Sequence, residues 1–239
     1  MNFDHHFFNK ILKDSGVRFD KDELATILFR KKSELFFRDK LSYLIEQEIL
    51  KGGKSNKFIV TPEWNPRMWD PLSGNSKVDI AILREKENTK IYPQHHFVPH
   101  TLIEIKNAFS PFILGYGATD NIWKYRNGGG LIKDIADMRE LFSKQPSINN
   151  FHAILAINCL QKSRLDKYQY IVSDMGNFNT LNKMMEDYNE DNKAILEDVK
   201  QKLYDTAVTL NASNISFVTI NGGIAYENEM DILYMILSF

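Results

Sequence analysis

The sequence predicts an α/β protein in which a mixed sheet is flanked by helices. Apolar residues recur at helical spacing in "SELFFRDKLSYLIEQEIL" (33–50) and in "LIKDIADMRELFSK" (131–144). Between them, "KFIVTPEW" (57–64), "KVDIAILR" (77–84) and "TLIEIKNAF" (101–109) are strand-like runs bounded by turn formers. Beyond the second helix, "FHAILAINCL" (151–160) is almost continuously apolar, as expected of a strand buried on both faces. Helix, three strands, helix, strand, helix, strand is an order that layers helices on a mixed sheet.

Residues 1–30 read as one or two short helices, with Asp20 as an N-cap and Asp22 and Glu23 favourably placed in the first turn behind it. Ser33 is a candidate N-cap for the next helix. Phe37, Leu41, Leu44, Ile45 and Glu48 form its stripe, with Glu34 at the N-terminal end, and Gly52 and Gly53 end it. The three strands that follow read as an antiparallel meander, or a hairpin with a long excursion. Residues 91–100 are extended and held by two prolines, and 110–130 are irregular and glycine-rich. The helix after Gly130 turns Leu131, Ile135, Met138 and Phe142 to one face. Leu181 to Leu210 read as one or two helices interrupted by "NEDN", and "NISFVTING" (214–222) as a strand. "MDILYMILSF" (230–239) fits either a strand or a helix. Without repeats or linkers, 1–239 reads as one domain: an N-terminal helical extension (1–30), a core (31–160) and helices and strands that complete it (161–239).

The 239 residues suffice for one sizeable domain, and 43% hydrophobic with 26% charged is the balance of an ordinary globular chain. A net charge of -1 excludes the blanket basicity of a histone-like binder, but not a local basic groove offset by an acidic site. Cys159, the single cysteine, excludes an intramolecular disulfide and a cysteine-based zinc site, and its apolar neighbours predict a buried, inert thiol. The N-terminus lacks the apolar core of a signal peptide, and no apolar run approaches the ~18 residues that span a bilayer. A soluble, cytoplasmic protein without a membrane partner is expected.

Residues two apart in a strand share a face, so Glu104 and Lys106 project together while Ile103 and Ile105 point the other way. An acid and an amine so placed could simply pair. Asp79, at the start of the preceding strand, can be brought beside Glu104 by a hairpin. Two carboxylates that close repel unless a cation lies between them, and Mg²⁺ takes one or two carboxylates while keeping waters. The alternatives are a cross-strand ion pair for Glu104 and Lys106 and a turn cap for Asp79. Glu34 could join this site or serve only the helix dipole. Glu48, at the far end of the same stripe, is a second choice, and Glu63 in "TPEW" could face the site if the register allows.

Asp79, the Glu104–Ile105–Lys106 tripeptide on the next strand and Glu34 on an upstream helix resemble the PD-(D/E)XK nuclease superfamily, the restriction endonuclease-like fold. The resemblance spans roughly residues 30–160. Val78 stands where many members carry Pro, and Glu104 lies 25 residues after Asp79, more than a tight hairpin needs. The tripeptide carries weight only through its strand context, since Asp191-Asn192-Lys193 has the same pattern. The resemblance implies a Mg²⁺-dependent endonuclease hydrolysing phosphodiester bonds, in DNA rather than RNA, with Mn²⁺ able to substitute. It implies Asp79, Glu104 and the Ile105 carbonyl as metal ligands, Lys106 acting on the attacking water, and Glu34 assisting. Cutting both strands needs two active sites, which a homodimer would supply.

Lys124, Arg126 and Lys133, interleaved with Trp123 and Tyr125 around a glycine run, are candidates for nucleic-acid binding, with a plain surface loop as the alternative. Asp134 and Asp137 lie in the first turns of the helix after Gly130. Asp134 sits at the edge of its apolar stripe, where a packing or ion-pair role inside the domain is expected. His95, His96 and His100 raise a zinc site, but adjacent histidines on an extended segment point apart, and a loop is expected there. A restriction endonuclease-like binding or assembly module without catalysis is the alternative of a different class. A metal-dependent hydrolase of small phosphates is a third.

Overall fold

A computed structural model of the protein describes residues 1–20, 22–28, 33–54, 57–66, 77–86, 96–116, 130–160, 178–225 and 227–239. In chain order the elements are α1 (His5–Arg18), α2 (Glu23–Leu28), α3 (Ser33–Lys51), β1 (Phe58–Trp64), β2 (Val78–Glu85), β3 (Phe97–Phe109), α4 (Ser110–Ile113), α5 (Leu131–Lys144), β4 (Asn150–Leu160), α6 (Phe178–Asp187), α7 (Asn192–Thr209), β5 (Asn214–Ala225) and β6 (Asn228–Ser238). The six strands form one mixed sheet in the order β1-β2-β3-β4-β6-β5, flanked by helices. β1, β2 and β3 are an antiparallel meander, and β4 lies parallel to β3 after the stretch that contains α5. β6 runs antiparallel to both β4 and β5. Among the described residues no helix is long and apolar enough to cross a membrane.

Burial explains which local patterns were decisive. Ala153 to Ile157 of β4 and Ile232 to Leu237 of β6 are completely buried, since both strands are central and helices pack on them: α4, α5 and α7 on β4, α1 and α7 on β6. "MDILYMILSF" is therefore strand; an apolar run of that length has no polar face to reveal its period. Cys159 is buried in β4, and burial pushes its thiol up to about 12.

The N-terminal helices share this core instead of extending from it. Asp4 caps α1 by accepting from the His6 and Phe7 N–H groups, and Phe8, Ile11 and Leu12 bury its inner face. α1 packs on β5 and β6, and α2 on β5. His152 of β4 bonds the Phe3 carbonyl at 2.9 Å and Ser238 Oγ at 2.8 Å, fastening the chain start to the central strands. Burial lowers its pKa to about 4, so the ring is neutral.

The loop reading of the histidines fails at His100. β3 begins at Phe97 and takes in His100, whose ring is buried and bonded to Thr101 Oγ1 and Asn149 Nδ2, each at 2.9 Å. Burial lowers this pKa also to about 4, giving a satisfied core histidine. His96 is exposed, and His95 lies outside the described residues.

Glu48, the second-choice acid, is a clamp between α1 and α3. Its carboxylate, 8% exposed, takes Lys51 at 2.8 Å, Lys10 at 3.1 Å and Arg18. Lys51 and Arg18 together hold its pKa down at about 2, against the effect of burial. A depressed carboxylate stabilises the fold above its ordinary pKa, and the effect is lost as pH falls through the folded value. With two partners largely in solvent, Glu48→Gln is expected to cost about 1–2 kcal/mol at pH 7. Urea denaturation would show the gap to wild type closing as pH falls from about 4.5 toward 2.

Candidate active site

The site forms where the β2–β3 ladder ends. The last backbone pair is Ile80 with Ile103, and one further step would set Asp79 against Glu104. There the Asp79 carboxylate takes over from the β2 backbone, its Oδ2 accepting the Ile105 N–H at 2.8 Å. The two acids are thereby neighbours, and their carboxyls interact electrostatically.

On its other side β3 pairs with β4 in parallel, placing Glu104 next to Ala153 and Lys106 next to Leu155. Those apolar neighbours give the charged pair no polar partner, so its partners come from elsewhere. Lys106 Nζ donates to Glu104 Oε1 at 2.7 Å. α3 brings Glu34 Oε1 to 3.6 Å from the same ammonium, and α5 brings Asp134 Oδ2 to 3.2 Å. Lys106 is 11% exposed and Glu104 is equally buried, whereas Glu34, at 38%, stands at the mouth. Two strands and two helices thus converge on one ammonium.

Burial raises the Glu104 pKa to about 8, with Asp79 adding repulsion and Lys106 opposing the rise. Asp79 is raised by burial, with the Ile105 N–H and Lys106 working against it. Glu34 moves the same way, burial again leading, though water at the mouth screens it. Burial alone would lower Lys106, but Glu104, Glu34 and Asp134 outweigh it and hold the amine above its ordinary pKa. It is a standing cation and a hydrogen-bond donor.

The sequence candidates divide as follows. Asp79, Glu104, Lys106 and Glu34 come together, and the Ile105 backbone is part of the same cluster. Glu63 does not join: its backbone is in the left-handed region (φ 50°), and its carboxylate takes Arg38 at 3.1 Å and Lys77 at 3.7 Å. Lys133 is half exposed on α5 and paired with Asp137. Lys124 and Arg126 lie outside the described residues. Asp191 is the N-cap of α7, accepting from the Lys193 and Ala194 N–H groups, so the second tripeptide is a helix start. Asp134 was legible only as an internal ion-pairing acid; its partner, the site lysine, required the fold.

Among the described residues no set of three or more His, Cys, Asp or Glu side chains is arranged to hold a metal ion by itself. The donors present at the ladder end are two carboxylates and strand backbone, all oxygen. That set fits Mg²⁺ or Mn²⁺, which accept one or two carboxylates and complete their shell with water, and does not fit a closed zinc site. Compared with known proteins, the chain matches no family model, no curated protein and no solved structure.

A carboxyl whose pKa is raised on folding withholds stability above its ordinary value, because the unfolded chain ionises more readily. Metal-free wild type is expected to lose stability as pH rises from 4.5 through about 8. Glu104→Gln reduces that slope, leaving the part owed to Asp79 and Glu34, and gains about 1–3 kcal/mol at high pH, with a smaller gain near pH 5.5. Denaturation curves at both ends of the window test this. A variant destabilised equally at both would mark Glu104 as a settled structural ion pair.

Proposed function

We propose that the protein is a Mg²⁺-dependent nuclease of the PD-(D/E)XK, restriction endonuclease-like type, a cytoplasmic endonuclease that hydrolyses phosphodiester bonds in DNA. The observation that carries this reading is the Asp79 carboxylate on the Ile105 N–H, one step beyond the end of the β2–β3 ladder and next to Glu104, with Lys106 bonded to Glu104. The order of elements supports it: an upstream helix bearing Glu34, an antiparallel meander, then a parallel strand reached past α5.

Asp79, Glu104 and the Ile105 carbonyl would hold the ion. Ile105 already turns its N–H to Asp79, and in an extended strand the carbonyl of the same residue faces the same side. When bound, Mg²⁺, or Mn²⁺ in its place, supplies Lewis-acid stabilisation of charge on the phosphate. Lys106, kept protonated by its carboxylates, acts as a donor that orients the attacking water or offsets charge on a phosphate oxygen. Glu34, at the mouth, is placed to accept from that water. Lys133, with Lys124 and Arg126 earlier in the sequence, would contact the DNA backbone, where cations give affinity without sequence information. A homodimer would provide the two active sites that cutting both strands requires.

A non-catalytic binding or assembly module is favoured by one observation. Lys106 already serves as an internal counter-ion for Glu104, so the cluster could simply join β3 to α3 and α5.

In the nuclease reading, Asp79→Ala and Lys106→Ala each lower Mg²⁺-dependent cleavage of plasmid DNA by at least about 100-fold while remaining folded. Undiminished cleavage by both variants would refute it. Millimolar Mn²⁺ or Ca²⁺ is expected to raise the wild-type melting temperature by about 2–4 °C. No shift favours the assembly module.

A further inference from the structure

We propose that Asp134 is a positioning residue that receives Lys106 when a divalent cation takes the Glu104 carboxylate. This inference rests on the metal reading above and assigns a role to a fourth acid that does not itself hold the metal.

In the metal-free protein, Lys106 is bonded most closely to Glu104, at 2.7 Å, with Asp134 next at 3.2 Å and Glu34 at 3.6 Å. An ammonium has three N–H donors, and three carboxylates surround this one. A divalent cation at Asp79 and Glu104 would compete with Lys106 for the Glu104 oxygens and repel its charge. A lysine with no other acceptor would either keep the cation out or leave for solvent, and its value at the reacting phosphate would be lost.

Asp134 is built to prevent that. It sits in the first turn of α5, its N–H bonded to the Gly130 carbonyl. Leu131 and Ile135, both fully buried, fix the rotation of that turn against the sheet. Its side chain is 27% exposed, against 38% for Glu34, so its attraction for Lys106 is the less screened of the two. The helix dipole stabilises an acid in that turn. Lys133, its immediate neighbour, is paired with Asp137. A shift of roughly 0.4 Å would bring the Lys106–Asp134 contact to full charge-assisted hydrogen-bond length and loosen the bond to Glu104.

A double-mutant cycle on Mn²⁺ affinity tests the exchange without using activity, with free Mn²⁺ measured by electron paramagnetic resonance. Asp134→Asn is expected to weaken Mn²⁺ binding about tenfold when Lys106 is present, and less than about twofold in a Lys106→Met background. Asp134→Glu, which keeps the charge, retains affinity within about twofold. If Asp134→Asn fails to fold, Asp134→Ser completes the same cycle. An equal loss in both backgrounds overturns the exchange, because Asp134 would then act on the cation directly. Absence of Mn²⁺ binding by wild type and Lys106→Met alike overturns the metal reading and the exchange with it.

Discussion

The site depends on one hydrogen bond, from the Ile105 N–H to the Asp79 carboxylate, at the step where β2 and β3 stop pairing through their backbones. Had the ladder continued, the Ile105 N–H would face a β2 carbonyl. Ending it leaves a donor in need of an acceptor, and Asp79 supplies one from its side chain. The same bond sets the spacing of the two acids, because Glu104 immediately precedes Ile105. A one-residue slip of register would turn Glu104 and Lys106 to the opposite face and put Ile103 and Ile105 in their place.

That arrangement is costly, and the rest of the molecule offsets it. Burial makes Glu104, Asp79 and Glu34 all hold their protons more tightly than usual, and the single ammonium of Lys106 only partly opposes it. β4, buried along nearly its whole length, pins β3 from the side away from Asp79. The Glu48 clamp ties α3 to α1, fixing the helix that carries Glu34. The two clusters are opposites in chemistry. Glu48 has more cations than it needs and is depressed to about 2, whereas Glu104 has too few and rises to about 8.

The fold was legible wherever polarity alternated with a period. α3, α5 and the three-strand meander followed from spacing and turn residues, and the burial of β4 on both faces from its unbroken apolar run. β6 stayed open because a strand buried on both faces has no alternation to show. His100 was misplaced because "VPH" looks like a proline-held connection; in the fold its ring bonds Thr101 and Asn149 inside β3. Within the site, the strand residues could be deduced from period two, and Glu34 from its place on the α3 stripe. Asp134 could not be matched to Lys106, because the two are 28 positions apart and only the packing of α5 on β3 and β4 brings them together. Nor could local sequence exclude Glu63, whose left-handed backbone accompanies a carboxylate committed to Arg38 and Lys77.

The cluster holds more acid than one ammonium needs. To hold Lys106 in place, Glu104 alone at 2.7 Å would be enough, and each further buried carboxyl adds repulsion without adding a needed contact. Asp79 has a backbone partner, so its presence could be structural, but a threonine or an asparagine would satisfy the same N–H without bringing charge next to Glu104. A charge that a neutral side chain could replace points to a cation beyond the chain's own. In the proposed metal reading Lys106 accounts for one positive charge and a hard, oxygen-binding cation would supply the second. In the structure itself the lysine is the counter-ion that joins β3 to α3 and α5 through Glu104, Glu34 and Asp134.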